Sequence, residues 1–134
     1  MALSADKMVT RRDGQLMNGP VAASTKIYGG ALLAFDADGY LALAADTANF
    51  VFAGVADEYV DNSAGADGAL NCTFRKKGDI LMKTATVVAQ TNVGDNACLV
   101  SDDTVDLVGD TTNDVVAGVI VEFVDTTHVW VDIG

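Results

Sequence analysis

The phrase FAGVADEYVDN at residues 52–62 returns 64 positions later as VAGVIVEFVDT at residues 116–126. A chain that repeats itself at a fixed spacing is built from like units, and two units are too few to stack as a solenoid. Sliding the sequence over itself by 64 without gaps extends the match to 15 identities within the 51 positions from 11 to 61. Arg11 meets Arg75, Gly14 meets Gly78, Gly54 meets Gly118 and Glu58 meets Glu122, while Asp46, Thr47 and Asn49 meet Asp110, Thr111 and Asn113. The pattern predicts an internal duplication, with a first β-repeat over 11–74, a second over 75–134 and an arm over 1–10. At 134 residues the two repeats are expected to pack as one compact domain.

Local patterning predicts an all-β fold of two small barrel- or sandwich-like units that share a core. In VIVEFV (119–124) and HVWVDIG (128–134) apolar residues alternate with the period of a strand, and Asp125, Thr126 and Thr127 turn the chain between them. The first repeat is expected to carry the same hairpin with the longer turn DNSAGADG (61–68) before a strand in which Leu70, Cys72 and Phe74 alternate. Further strands are expected over 27–35, 40–44, 50–60 and 78–83, with weaker ones near 97–100 and 105–108. No segment sustains a helical period between caps. Gly54 and Gly118 fall inside strands, where glycine marks a bend or a close backbone approach. The recurrence of Arg11 and Arg75 beside Glu58 and Glu122 suggests an Arg–Glu pair in each repeat, or else exposed strand carboxylates.

The formal net charge is −11, and every basic residue lies at or before Lys83. Nine carboxylates follow between Asp95 and Asp132, a field that argues against direct nucleic-acid binding. It reads either as a solvated surface or as an acidic outer side opposed to a basic docking end. The longest apolar runs are too short to span a bilayer, and no signal-length apolar stretch opens the chain, so no membrane contact is expected and the cytoplasm of the cell that makes it is the expected place of origin. Cys72 and Cys98 lack metal or redox spacing and read as buried reduced thiols.

Motifs for chemistry are few. His128 is the only histidine and has no recognisable nucleophile, so no triad and no catalytic residue is assigned. DADG (36–39) lacks the ligand order of a calcium loop and reads as a tight turn. No metal and no cofactor is expected, and the chain reads as a non-enzyme. Residues 1–13 mix apolar Leu3, Met8 and Val9 with basic Lys7, Arg11 and Arg12, which reads either as an extended arm that docks on a partner or as a frayed terminus. Trp130, on the less apolar face of the last strand, is a candidate interface anchor or a core residue.

The stretches ADKMVTRRDGQLMNGPVAASTKIYGGALLAFDADGYLALAADT, GVADEYVDNSAGADG and AGVIVEFVDTTHVWVDIG together resemble the capsid decoration, or structural cement, proteins of tailed bacteriophages and prophages. The resemblance covers nearly the whole chain and rests most on the VDNSAG turn and the VWVDI ending. It implies a β-rich virion protein on the outer capsid surface that bridges subunits of the major capsid protein and stabilises the head against DNA pressure. Self-association as a trimer or dimer on the capsid lattice would go with that role. The alternative is a β-module of a phage tail or fibre that binds a glycan or protein of the host surface.

Overall fold

In the computed structural model, which describes residues 4–6, 8 and 14–134, the chain is all-β. The first half carries β1 (Leu16–Pro20), β2 (Thr25–Ile27), β3 (Leu32–Phe35), β4 (Leu41–Leu43), β5 (Val51–Ala56), β6 (Val60–Asn62) and β7 (Asn71–Arg75). The second carries β8 (Asp79–Thr84), a 3-10 turn (Gln90–Asn92), β9 (Asn96–Leu99), β10 (Thr104–Leu107), β11 (Val116–Asp125) and β12 (His128–Asp132).

Strands β1-β7-β5-β3-β4 form one sheet, β10-β8-β12-β11-β9 close into a barrel, and β2 pairs with β6 in a ribbon. Read around the barrel from β8, the order is β8-β12-β11-β9-β10, the same order as in the first sheet. The barrel closes through parallel pairing of β10 with β8, whereas the first sheet has only the single parallel bridge Val21–Leu41 at the corresponding place.

Gly54 and Gly118 occupy like positions in these two frames. The β3–β5 register shifts between Leu33 and Ala34, and the β9–β11 register shifts between Val116 and Gly118, so each glycine lies at a bulge. A Cβ at Gly54 would overlap the carbonyl oxygen of Arg75, and one at Gly118 would overlap that of Asp132. Close approach of another strand's backbone is what both positions require.

Two apolar clusters fill the interior. One lies within the first half around Val21, Ile27, Leu33, Leu41, Cys72 and Phe74. The other joins Leu32, Ala34 and Ala44 of the first half to Met82, Leu99, Val105, Ile120, Val129 and Val131 of the second. Successive residues of β3 therefore serve different clusters: Leu33 faces the first and Leu32 and Ala34 the second, as the two-residue period dictates.

Several expected strands differ in extent. The run over 27–35 is broken by a turn at 28–31, where Ala31 N–H bonds to the Tyr28 carbonyl and Gly30 takes φ 90°. The run over 50–60 divides into β5 and β6, because β6 leaves the sheet to pair with β2. The first-half hairpin is thus β5–β7, pairing Val55 with Arg75 and Ala56 with Phe74. The second hairpin is tighter than expected, since Asp125 already pairs with His128 and leaves Thr126 and Thr127 as its loop.

Candidate binding surfaces

The chain enters the described body at a corner that carries Lys76 and Lys77. Gly14 lies against Lys76, whose Cε would be 3.3 Å from a Cβ there, and against Lys77, whose Cε would be 3.8 Å away. Lys76 N–H bonds to the Gln15 carbonyl, which fixes this approach through backbone rather than side chains. Residues 1–13 are therefore joined to the body beside two lysines. Of the candidate arm residues, Leu3, Lys7, Val9, Arg11 and Arg12 lie outside the described residues, and Met8 is exposed. Carboxylates Asp79 and Asp132 share this end of the β8–β12 pair, so the corner is mixed in charge rather than purely basic.

Trp130 sits part-buried on the outward face of the barrel, between Leu81 on β8 and Glu122 on β11. Its chain neighbours Val129 and Val131 are fully buried, so alternation alone turns the indole away from the core. A shallow depression of about 500 Å³ beside it is lined by Asp79, Val121, Glu122 and Trp130.

A second aromatic surface was not singled out by the sequence. Tyr28 and Tyr59 continue the β2–β6 ribbon past Ile27 and Val60, with ring centroids 5.4 Å apart and planes tilted by 45°. Both rings are more than half exposed. The signal available in the sequence was the pair of tyrosines flanking Gly29–Gly30 and Glu58, but only the ribbon pairing brings them together.

The expected Arg–Glu pairs are not formed by Arg75. Among the described residues the one ion pair within 4.0 Å joins His128 Nδ1 to Asp125 Oδ1 at 2.9 Å. Arg75 ends β7 next to Leu16 and Val55, whereas Glu122 faces Trp130 on the barrel and Glu58 follows β5, so the topology separates the charges. Arg11 lies outside the described residues. Glu58 and Glu122 are both exposed; Glu122 is a strand carboxylate as the plainer reading has it, whereas Glu58 lies between β5 and β6.

The repeated Asp-Thr-x-Asn stretch supplies a link between the halves instead. Asp46 accepts the backbone N–H groups of Thr112 (2.7 Å) and Asn113 (2.8 Å), and the Asn113 side-chain amide donates to the same carboxylate at 3.1 Å. An aspartate of the first half thereby caps a loop of the second. Asn62 acts similarly within the first half: it is 2% exposed, and its amide donates to the carbonyls of Val21, Ala22 and Ala66.

These bonds hold several carboxyl groups below the ordinary aspartate value of 3.8. The backbone N–H of Thr112, then that of Asn113, lowers Asp46; the backbone N–H of Thr127, then His128, lowers Asp125; the Thr104 hydroxyl, then that of Ser101, lowers Asp103. A group whose folded pKa is depressed adds stability that is complete above its unfolded value and is lost as pH falls through the folded one. The melting temperature is therefore expected to hold down to about pH 4 and to fall below it, in line with an unfolded value near 3.8. Asp46→Asn should flatten that fall. Thermal melts at pH 7, 5, 4 and 3 check this, and an unchanged melt at pH 3 would contradict it.

DADG forms the β3–β4 turn, where Asp36 accepts the N–H groups of Asp38 and Tyr40 at 3.0 Å each. Cys72 and Cys98 are buried and unpaired, and burial first, then Glu58 and Asp57, pushes the Cys72 thiol up to about 11. Among the described residues no group of three or more His, Cys, Asp or Glu is placed to hold a metal ion, and no helix is long and apolar enough to cross a membrane. Compared with known protein families and with curated proteins, the chain matches none.

Proposed function

We propose that the chain is a capsid decoration protein that binds the outer surface of a phage head, bridges subunits of the major capsid protein and stabilises the shell. The observation that carries this reading is the corner at Gly14, Lys76 and Lys77. It tethers the cations Lys7, Arg11 and Arg12 and the apolar Leu3, Met8 and Val9 to a body that is otherwise strongly acidic. A segment of that composition gains affinity by laying apolar side chains in a groove while its charges meet acidic groups on the partner. The body suits a lattice plug, since a closed barrel leaves few sheet edges to pair with stray strands. The two like-ordered halves are read as products of one duplication, fused through the cluster that includes Leu32, Ala34 and Ala44. Deleting residues 1–13 is expected to weaken head binding at least tenfold while the thermal melt of the body stays within a few degrees. Head binding unchanged by the deletion would contradict the arm's role.

One observation favours a second reading, a tail or fibre module that recognises the host surface. The exposed Tyr28–Tyr59 pair offers aromatic faces on which a sugar ring can stack. Binding to host-cell glycans that is lost in Tyr28→Ala and Tyr59→Ala, with no binding to heads, would select that reading.

A further inference from the structure

The outward face of the β8–β12 pair has an order that can complement itself. The register sets Lys83 beside His128, Leu81 beside Trp130, and Asp79 beside Asp132. The intervening Met82, Val129 and Val131 are buried, so these three rows all point away from the barrel interior. Along the strands the face runs from Lys83 and His128, bordered by Asp103 and Asp125, through the apolar row to Asp79 and Asp132, with about 7 Å between rows at two residues per step. Leu81 is 49% exposed at its centre, and Val121 on β11, 43% exposed, widens the apolar row past Trp130.

This apolar centre is not a demand of the fold. The matching pair in the first half, β1 and β7, places Asn18 beside Thr73, joined by a 3.1 Å hydrogen bond from the Asn18 amide to the Thr73 hydroxyl. The same strand order thus supports a polar face in one half and an apolar one in the other. An apolar row left open on a chain of net charge −11 marks an interface.

The charge pattern says what covers it. When two such faces meet about a two-fold axis lying along the Leu81–Trp130 row, the strands run antiparallel across the interface and each row meets its complement. We propose that this face binds a second copy of the chain in that way, with Leu81 on the partner's Leu81, Trp130 on the partner's Trp130, and Lys83 on the partner's Asp79. His128 then meets the partner's Asp132, while its own Asp125 keeps hold of Nδ1 at 2.9 Å. Glu122 continues the row past Trp130 and so lies opposite its own copy at the edge of the contact, where water and salt screen the pair; the Debye length at physiological ionic strength is about 8 Å, so the repulsion between two acidic bodies is short-ranged. A single barrel face falls at the small end of specific interfaces, the size class of weak and transient contacts.

Sedimentation velocity of the full chain from about 1 to 200 μM is expected to show a monomer–dimer equilibrium in that range. Leu81→Glu, at a half-exposed site, should leave the melt within a few degrees of the parent and weaken dimerisation at least tenfold. Lys83→Asp should weaken it as well, and adding Asp79→Lys to the same chain should restore it to within a few-fold, because the two-fold axis pairs those positions. A monomer throughout the range, a trimer, a dimer indifferent to Leu81→Glu, or failure of the paired reversal to rescue each overturns the proposal. The dimer needs no head and does not involve residues 1–13, so its failure and that of the decoration reading are separable: the deletion chain should dimerise normally.

Discussion

Gly118→Ala is expected to destabilise the protein by about 3 kcal/mol, the upper range for forcing atoms into packed space. The added methyl would overlap the Asp132 carbonyl oxygen and come within 2.9 Å of Val131 Cγ1, both on the neighbouring strand of a closed barrel. Backbone cannot step aside there without breaking the β11–β12 ladder, and closure denies the barrel an edge at which to relax. For a chain of this size the loss corresponds to roughly 10 °C in melting temperature. Gly54→Ala meets the Arg75 carbonyl in the same way but in a sheet closed by one bridge, so its cost should be somewhat smaller. Gly29→Ala is the control, since a Cβ there meets nothing nearer than 4.0 Å; that change should be neutral or slightly stabilising. A melt of Gly118→Ala within 2 °C or so of the parent would show that the strands can part at no cost.

Phe74→Ala should cost about 4 kcal/mol, the usual range for an aromatic ring lost from a tight core. The ring is 1% exposed and meets Phe35 edge-on with centroids 6.0 Å apart. It is seated between two glycines: a Cβ at Gly19 would be 3.3 Å from its Cε1, and one at Gly54 would be 3.0 Å from its Cδ2. Those backbones are held by the β1–β7 and β5–β7 ladders, so the vacated space cannot readily collapse. Although the cavity lies in the first-half cluster, the whole chain should still melt in one transition, because β3 contributes Leu33 to that cluster and Leu32 and Ala34 to the other. Two resolved transitions, one at the parent temperature, would contradict a jointly packed core.

The all-β class could be read from the sequence because alternation and turn residues are local properties. The β11–β12 hairpin shows how far this goes: β12 alternates throughout, whereas β11 carries register shifts between Ile120 and Glu122 and between Phe123 and Asp125, so its faces depart from the two-residue period and only Thr126 and Thr127 form the loop. Strand β1 escaped notice because Gly19 and Pro20 argue against a strand; the glycine is there to admit Leu41 and Phe74, a requirement visible only once those chains are packed. The split of β5 from β6 was hidden for a similar reason, since β6 earns its separate place by pairing with β2, far away in sequence. Among surface features, Trp130 could be picked out by residue type and alternation, whereas the Tyr28–Tyr59 pair depends on ribbon register. The link from Asp46 to Thr112 and Asn113 lay in plain view as a repeated phrase, but identity between copies does not reveal that one copy binds the other. The Arg–Glu expectation for Arg75 failed on the same point: recurrence at a fixed spacing records ancestry or architecture, not contact.

The most direct test of the proposed decoration role is co-sedimentation of the purified protein with undecorated, expanded heads of the phage or prophage that would, on this proposal, encode it. Saturable binding at a fixed ratio to the capsid protein, with heads that withstand more heat or chelator once coated, is the predicted result. Heads that sediment bare at protein concentrations far above micromolar, and that gain no stability, would contradict it.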